Sequence, residues 1–86
     1  MRVNFRDRFM HQLGYWRRTS MVARDRILRL ARAAAEDPFH GVGDPRLVKE
    51  LGRGVWARHI SGPHFLIYMF ELEHLTFISC RAYGGF

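Results

Sequence analysis

Asp37-Pro38-Phe39-His40-Gly41-Val42-Gly43-Asp44-Pro45 is the stretch on which the fold turns. Two prolines and two glycines in nine residues cannot continue a helix. Proline lacks an N–H and restricts the residue before it, and glycine opens backbone angles closed to other residues. Upstream the sequence carries helical periodicity; downstream most of it carries strand signals. Phe39, the one large apolar group here, is expected to plug the loop onto the core and keep it ordered. An ordered, glycine-bearing loop between helices and sheet is a favourable place for a functional site.

Upstream, Ala23, Ile27, Leu30, Ala31 and Ala34 form one apolar stripe with Arg24, Arg26, Arg29 and Arg32 largely off it. This predicts a helix over residues 20–35, ended by Pro38. Its arginine side reads equally as an RNA- or partner-binding face and as a solvated face. Phe9, Leu13 and Trp16 predict an earlier helix over residues 7–18, weakened by Gly14 and capped by Asn4 or Asp7. Thr19 or Ser20 caps the second helix, and the two make a helical hairpin. Arg2-Val3-Asn4-Phe5 is a short strand candidate.

Downstream, residues 46–51 read as a one-turn helix or a loop, and Gly52-Arg53-Gly54 as a turn. Residues 55–60, 64–70 and 74–81 read as strands, separated by Ser61-Gly62-Pro63 and Glu71-Leu72-Glu73; residues 82–86 are a tail. The order is β-α-α-β-β-β. It predicts an α+β domain spanning residues 1–86: a three-strand antiparallel meander, joined by the N-terminal strand, with a helical hairpin on one face. The other face is left to carry function.

Eighty-six residues make one domain that buries roughly 60–65% of its unfolded surface. No apolar run is long enough for a membrane span, and Met1-Arg2-Val3-Asn4-Phe5-Arg6-Asp7 lacks the apolar core of a signal peptide. The single Cys80 excludes an internal disulfide and fits a reducing compartment, so a cytoplasmic protein is expected. Thirteen arginines stand against one lysine, and the formal charge is +6. Arginine's planar fork suits phosphates and carboxylates, which points to nucleic acid, a ribosome or an acidic protein.

The chain has no HExxH, no CxxC and no acidic metal cluster. Its histidines, His11, His40, His59, His64 and His74, lack ligand spacing, so neither a metal nor another cofactor is expected. Gly41-Val42-Gly43 lacks the remainder of a phosphate loop, and Cys80, beside Ile78 and Ser79, reads as a small buried hydrophobe. What is left is a set of cations and aromatics: Arg46, Lys49, Arg58, His59, His64, Arg81 and Tyr83. Metal-free ribonucleases work with such groups. Cations stabilise the extra charge on the phosphate, a His, Glu or Tyr moves the 2′-OH proton, and aromatics stack bases.

Trp16, Asp37-Pro38-Phe39, Gly41, Gly43 and Pro45, then Leu51, Gly54, Trp56, Arg58, Ile60, His64, Leu66 and Tyr68, and finally Cys80-Arg81, together resemble the YoeB/Txe toxins of the RelE/ParE superfamily. The match runs the whole length with essentially no gaps. The resemblance implies a microbial-ribonuclease-like fold and the toxin of a type II toxin–antitoxin pair. It implies cleavage of mRNA in the A site of the 70S ribosome. It also implies neutralisation by an acidic YefM/Phd-type antitoxin whose tail covers the basic site, in a heterocomplex, with a homodimer as the other assembly.

Against that pattern, this chain has Arg46 where the family has its glutamate base and Phe65 where it has the phosphate-binding arginine of the central strand. It has His59 in place of a second site arginine and Tyr83-Gly84 in place of the terminal His-Tyr pair, while Lys49 is kept. Two classes of function follow. One is an endoribonuclease with rewired chemistry, in which Lys49, His59 and Tyr83 are catalytic and Arg46, Arg58, Phe65 and Arg81 hold RNA. The other is a non-catalytic binder of antitoxin, ribosome or DNA gyrase.

Overall fold

The computed structural model describes residues 1–82. In chain order it contains β1 (Arg2–Phe5), α1 (Asp7–Thr19), α2 (Met21–Glu36), β2 (Arg46–Leu47), a 3-10 turn (Lys49–Leu51), β3 (Val55–Ser61), β4 (His64–Glu71) and β5 (His74–Ser79). The strands form one sheet in the order β1-β5-β4-β3-β2. β2, β3, β4 and β5 pair antiparallel in succession, and β1 lies parallel to β5.

This is the expected α+β fold with two additions. Arg46–Leu47 pairs with Ala57 and Trp56 as a fifth strand, so only the second half of the 46–51 segment is the expected helical turn. The N-terminal strand makes the sheet mixed rather than antiparallel. The last strand stops at Ser79, two residues early, because Cys80 turns its backbone toward α1. Ser20 caps α2 as expected, its hydroxyl accepting from Ala23 N–H at 3.2 Å. Neither Asn4 nor Asp7 caps α1, which begins after Arg6 with no side-chain cap.

Both helices lie on one face of the sheet. Phe9, Trp16, Ile27, Leu30 and Ala34 from the helices pack against Leu66, Tyr68, Leu75 and Phe77 from the strands. Burying Phe9 stabilises α1 by about 1.5–3 kcal/mol. That outweighs the ~0.5–1 kcal/mol cost of Gly14 in mid-helix, so the helix runs through it. A thinner cluster of Val48, Val55, Ala57, Ile67 and Ile78 covers part of the opposite face, with Leu51 of the 3-10 turn packed against it. Side chains alternate along a strand, so each residue's face follows from its position. Val55, Ala57 and His59 of β3 point to the open face; Trp56, Arg58 and Ile60 point to the helices.

Candidate functional site

The loop of residues 37–45 is held from beneath by one buried cation. Arg58 is 0% exposed. Its Nε donates to Tyr68 Oη at 3.1 Å, its Nη1 to Val42 O at 2.9 Å, and its Nη2 to Asp37 O at 2.6 Å and His40 O at 3.0 Å. Tyr68 Oη in turn donates to Pro38 O at 2.6 Å. A buried guanidinium is tolerated only when its donors are satisfied, and here backbone carbonyls replace water. Burial pushes the Tyr68 hydroxyl above its ordinary pKa, with Arg58 pulling the other way. Arg58 was expected to hold RNA; it lies instead on the helix-covered face and holds the loop.

The loop is shaped to fit. Asp37 Oδ1 accepts from Phe39 N–H at 2.9 Å and His40 N–H at 3.2 Å, and the Phe39 bond foremost keeps its carboxyl below the ordinary value. Phe39 rests on Trp56 and Phe70, with ring centroids 5.2 and 5.6 Å away, and remains 43% exposed. Gly43 has φ +91°, and a Cβ there would stand 2.6 Å from Leu30 Cδ2 and 3.0 Å from Arg58 Cβ. Only glycine fits, and its carbonyl accepts from His59 N–H at 2.8 Å.

His59 is therefore fixed from several sides. Its backbone carbonyl accepts from Arg26 Nη2 at 3.0 Å, and Arg26 Nε also donates to Ile60 O at 2.7 Å. Its ring lies 5.0 Å from Phe65, its cross-strand partner. Its Nε2 lies 3.0 Å from Gly62 O. A carbonyl only accepts, so Nε2 carries the proton, and in the neutral ring Nδ1 is the nitrogen able to take one. Gly62 sits at φ +51° in the turn between β3 and β4, where its carbonyl meets Nε2.

His59 and Phe65 open onto a hollow of about 830 Å³, lined also by Asp44, Arg46, Leu47, Val48, Glu50, Ala57 and Pro63. The expected basic hollow is instead lined by more carboxylates than arginines. Arg46 donates from Nε and Nη2 to Asp44 Oδ2 at 3.1 and 3.0 Å, and Glu50 adds a second carboxylate. Lys49 lies on the 3-10 turn between the lining residues Val48 and Glu50 but is not itself part of the lining. The sequence reading missed Glu50, although it neighbours Lys49. It placed Arg26 on the arginine side of α2 and not against β3, whose His59 and Ile60 carbonyls it holds.

Arg81 is elsewhere. Its guanidinium carbon lies 3.8 Å from the centroid of the Tyr15 ring, on α1. Beside it, Cys80 N–H donates to Gln12 Oε1 at 2.7 Å, Trp16 Nε1 donates to Cys80 O at 2.8 Å, and Ala82 N–H donates to His64 Nδ1 at 2.9 Å. Residues 80–82 are pinned between α1 and the start of β4. Burial pushes the Cys80 thiol up to about 12, which suits a small hydrophobe and not a nucleophile. Tyr83 lies outside the described residues.

A second hollow of about 530 Å³ opens at the other end of the same face. Arg6, Asp7, Arg8 and Arg53 surround a floor of Leu51, Val55, Met69 and Ile78, with Gly52 at the edge. Among the described residues no three His, Cys, Asp or Glu side chains gather as metal ligands. No described helix is long and apolar enough to cross a membrane.

This fold and this face place the chain among small bacterial toxins. It belongs to the family described as the YoeB-like toxin of bacterial type II toxin–antitoxin systems, whose model matches residues 5–83. Toxin YoeB of Synechocystis is 33% identical to it over 81 residues, covering 94% of each chain. The YoeB/ParE toxin from Agrobacterium tumefaciens has the same fold, with a TM-score of 0.87 and 28% identity over 96% of this chain and 99% of that one. A chain in the heterotetrameric YoeB–YefM toxin–antitoxin complex from Staphylococcus aureus shares it too, with a TM-score of 0.81 and 21% identity over 96% of this chain and 97% of that one.

Proposed function

We propose that this toxin cleaves mRNA in the ribosomal A site, with His59 as the group that moves the proton. The observation that carries the reading is the fixing of His59: Gly43 O, Arg26 and Gly62 O hold its backbone and ring at the edge of the hollow. A group held in one orientation is what proton transfer to a positioned substrate requires. His59 Nδ1 takes the 2′-OH proton, and the 2′-oxygen attacks the adjacent phosphorus. The 5′-oxygen leaves and is protonated, giving a 2′,3′-cyclic phosphate and a 5′-hydroxyl. Arg46 and Lys49 stabilise the added charge on the phosphate. Arg46 is available because an exposed pair such as Arg46–Asp44 contributes only about 0–1 kcal/mol and opens readily. Tyr83 is the proposed acid.

Residues 1–86 act as one domain in the cytoplasm, where translating ribosomes are. An acidic antitoxin is the partner of a chain with formal charge +6, as YefM is the partner in the Staphylococcus aureus complex. Primer extension on a translated message, with purified toxin in excess and the A site open, tests the reading. A cut within the open codon is expected, and an intact message overturns it.

A second reading is supported by Phe65 beside His59 and by the carboxylates of Asp44 and Glu50 in the hollow. These features weaken phosphate binding and suit a protein surface, as in a toxin that binds its target without cutting it. Growth arrest with uncut message would favour this reading, with an induced DNA-damage response pointing to DNA gyrase.

A further inference from the structure

His64 has no part in the chemistry proposed above, yet two pieces of structure converge on it. Its ring meets Trp16 of α1 edge-on, with ring centroids 4.8 Å apart. Its Nδ1 accepts from the backbone N–H of Ala82 at 2.9 Å. A backbone N–H only donates, so Nδ1 is the bare nitrogen and the neutral ring carries its proton on Nε2. Ala82 itself sits at φ +64°, a left-handed conformation that a Cβ disfavours. A residue keeps such a conformation only where its surroundings hold it there. The two residues before it are held by other means. Cys80 is fixed by Gln12 Oε1 and Trp16 Nε1, and Arg81 rests on Tyr15. Of side-chain amide, indole, guanidinium and imidazole, only the imidazole ordinarily changes charge between about pH 5 and pH 8.

We propose that His64 is a proton-operated latch on Ala82. With Nδ1 bare, the ring accepts from Ala82 N–H and holds the left-handed turn. A proton on Nδ1 sets two donors against each other, and the bond is lost. Turning the ring over does not restore it, because a carbon then takes the place of Nδ1. Docking of Ala82 and protonation of Nδ1 therefore exclude each other. Acid frees Ala82 while Cys80 stays anchored. The ionisable groups on the neighbouring elements do not take over this role. On α1, Tyr15 lies under Arg81, and Arg17 and Arg18 are exposed. In the segment itself, the Cys80 thiol is directed to Phe9 O. On β3, His59 faces the opposite side of the sheet with Phe65, and Arg58 is spent on the loop of residues 37–45. Tyr83 follows Ala82 in the sequence. An effect of the latch on cleavage rests on the role proposed for Tyr83 above; the latch itself does not.

The test follows the isotope-labelled full chain by NMR from about pH 8 to about pH 5. At the upper end, His64 is expected to show a bare Nδ1 and a protonated Nε2. The Ala82 amide is expected to exchange at least about fivefold more slowly than an unstructured amide. As the His64 ring takes up its second proton, that protection is expected to vanish, while the Cys80 amide and the Trp16 indole N–H keep theirs. His64→Asn places an amide oxygen, which does not titrate, close to the position of Nδ1. Protection at Ala82 is then expected to be equal at both ends of the range. His59→Gln is expected to respond like the unaltered protein. A proton on Nδ1 at the upper end, or protection at Ala82 that survives in the doubly protonated ring, would overturn the proposal. So would a full pH response in His64→Asn, or loss of protection at Cys80 and Trp16 together with Ala82, which would be general acid unfolding. The measurements on the unaltered chain need no variant to fold. Cleavage is not among the readouts, so an uncut message leaves the latch standing, and a failed latch leaves the ribonuclease reading standing.

Discussion

The two hollows share one sheet face, one strand and one apolar cluster, yet they differ in how their polar groups are held. The hollow at His59 rests on hydrogen bonds: Arg58 and Tyr68 beneath the loop, Gly43 on the backbone, Gly62 under the ring. Its one arginine, Arg46, is paired with Asp44. The hollow at Arg53 rests on packed aliphatic side chains, and its cations outnumber its carboxylates. Orienting a reacting group takes directional bonds, whereas holding a partner takes area and complementary charge.

The largest expected effect is on chemistry. His59→Ala should lower message cleavage by about 10²–10⁴-fold with little change in stability, measured by primer extension beside urea unfolding. If cleavage is unchanged, the first hollow is not where the proton moves. Next comes Arg58→Met, which removes the donor to Asp37 O, His40 O and Val42 O and leaves the Tyr68 hydroxyl with Pro38 O alone. A loss of about 3–5 kcal/mol in unfolding free energy is expected, and the loop should become protease-sensitive. A loss below about 1 kcal/mol would mean that the polar scaffold is not what holds the first hollow. In the second hollow, Ile78→Val should cost only about 0.5–1.5 kcal/mol and leave cleavage unchanged, measured by urea unfolding beside primer extension. The smallest effect is Asp44→Ala: stability within about 1 kcal/mol of the native protein, but tighter binding of RNA because Arg46 is released. Unchanged RNA affinity would show that Arg46 does not face the phosphate.

The helices and the three long strands could be read from the sequence to within one or two residues, because periodicity and turn residues are local signals. The apolar stripe of α2 and Ser20 before it define that helix almost completely. The parallel partner of β1 was hidden, since strand pairing over seventy residues leaves no local trace. β2 was missed because two residues cannot show alternation. In the site, His59 and Phe65 were legible as cross-strand neighbours once the hairpin was placed. Arg58 was misassigned by treating arginine as a surface residue. Its place between Trp56 and Ile60, two residues either side on one strand face, was the available clue. Lys49, Arg81 and Arg46 are exposed cations whose neighbours are set by loops, and a linear pattern does not reveal those neighbours.

The parallel pairing of β1 with β5 also sets the order in which the molecule can be completed. Arg2 lies opposite His74 and Phe5 opposite Phe77, so the first strand made waits for the last. Contacts so distant in sequence form late, after the loop between them has closed. While the chain is still being synthesised, β1 has no neighbour and α1 has no β5 to pack on. A nascent copy therefore stays unfinished until β5 has left the exit tunnel.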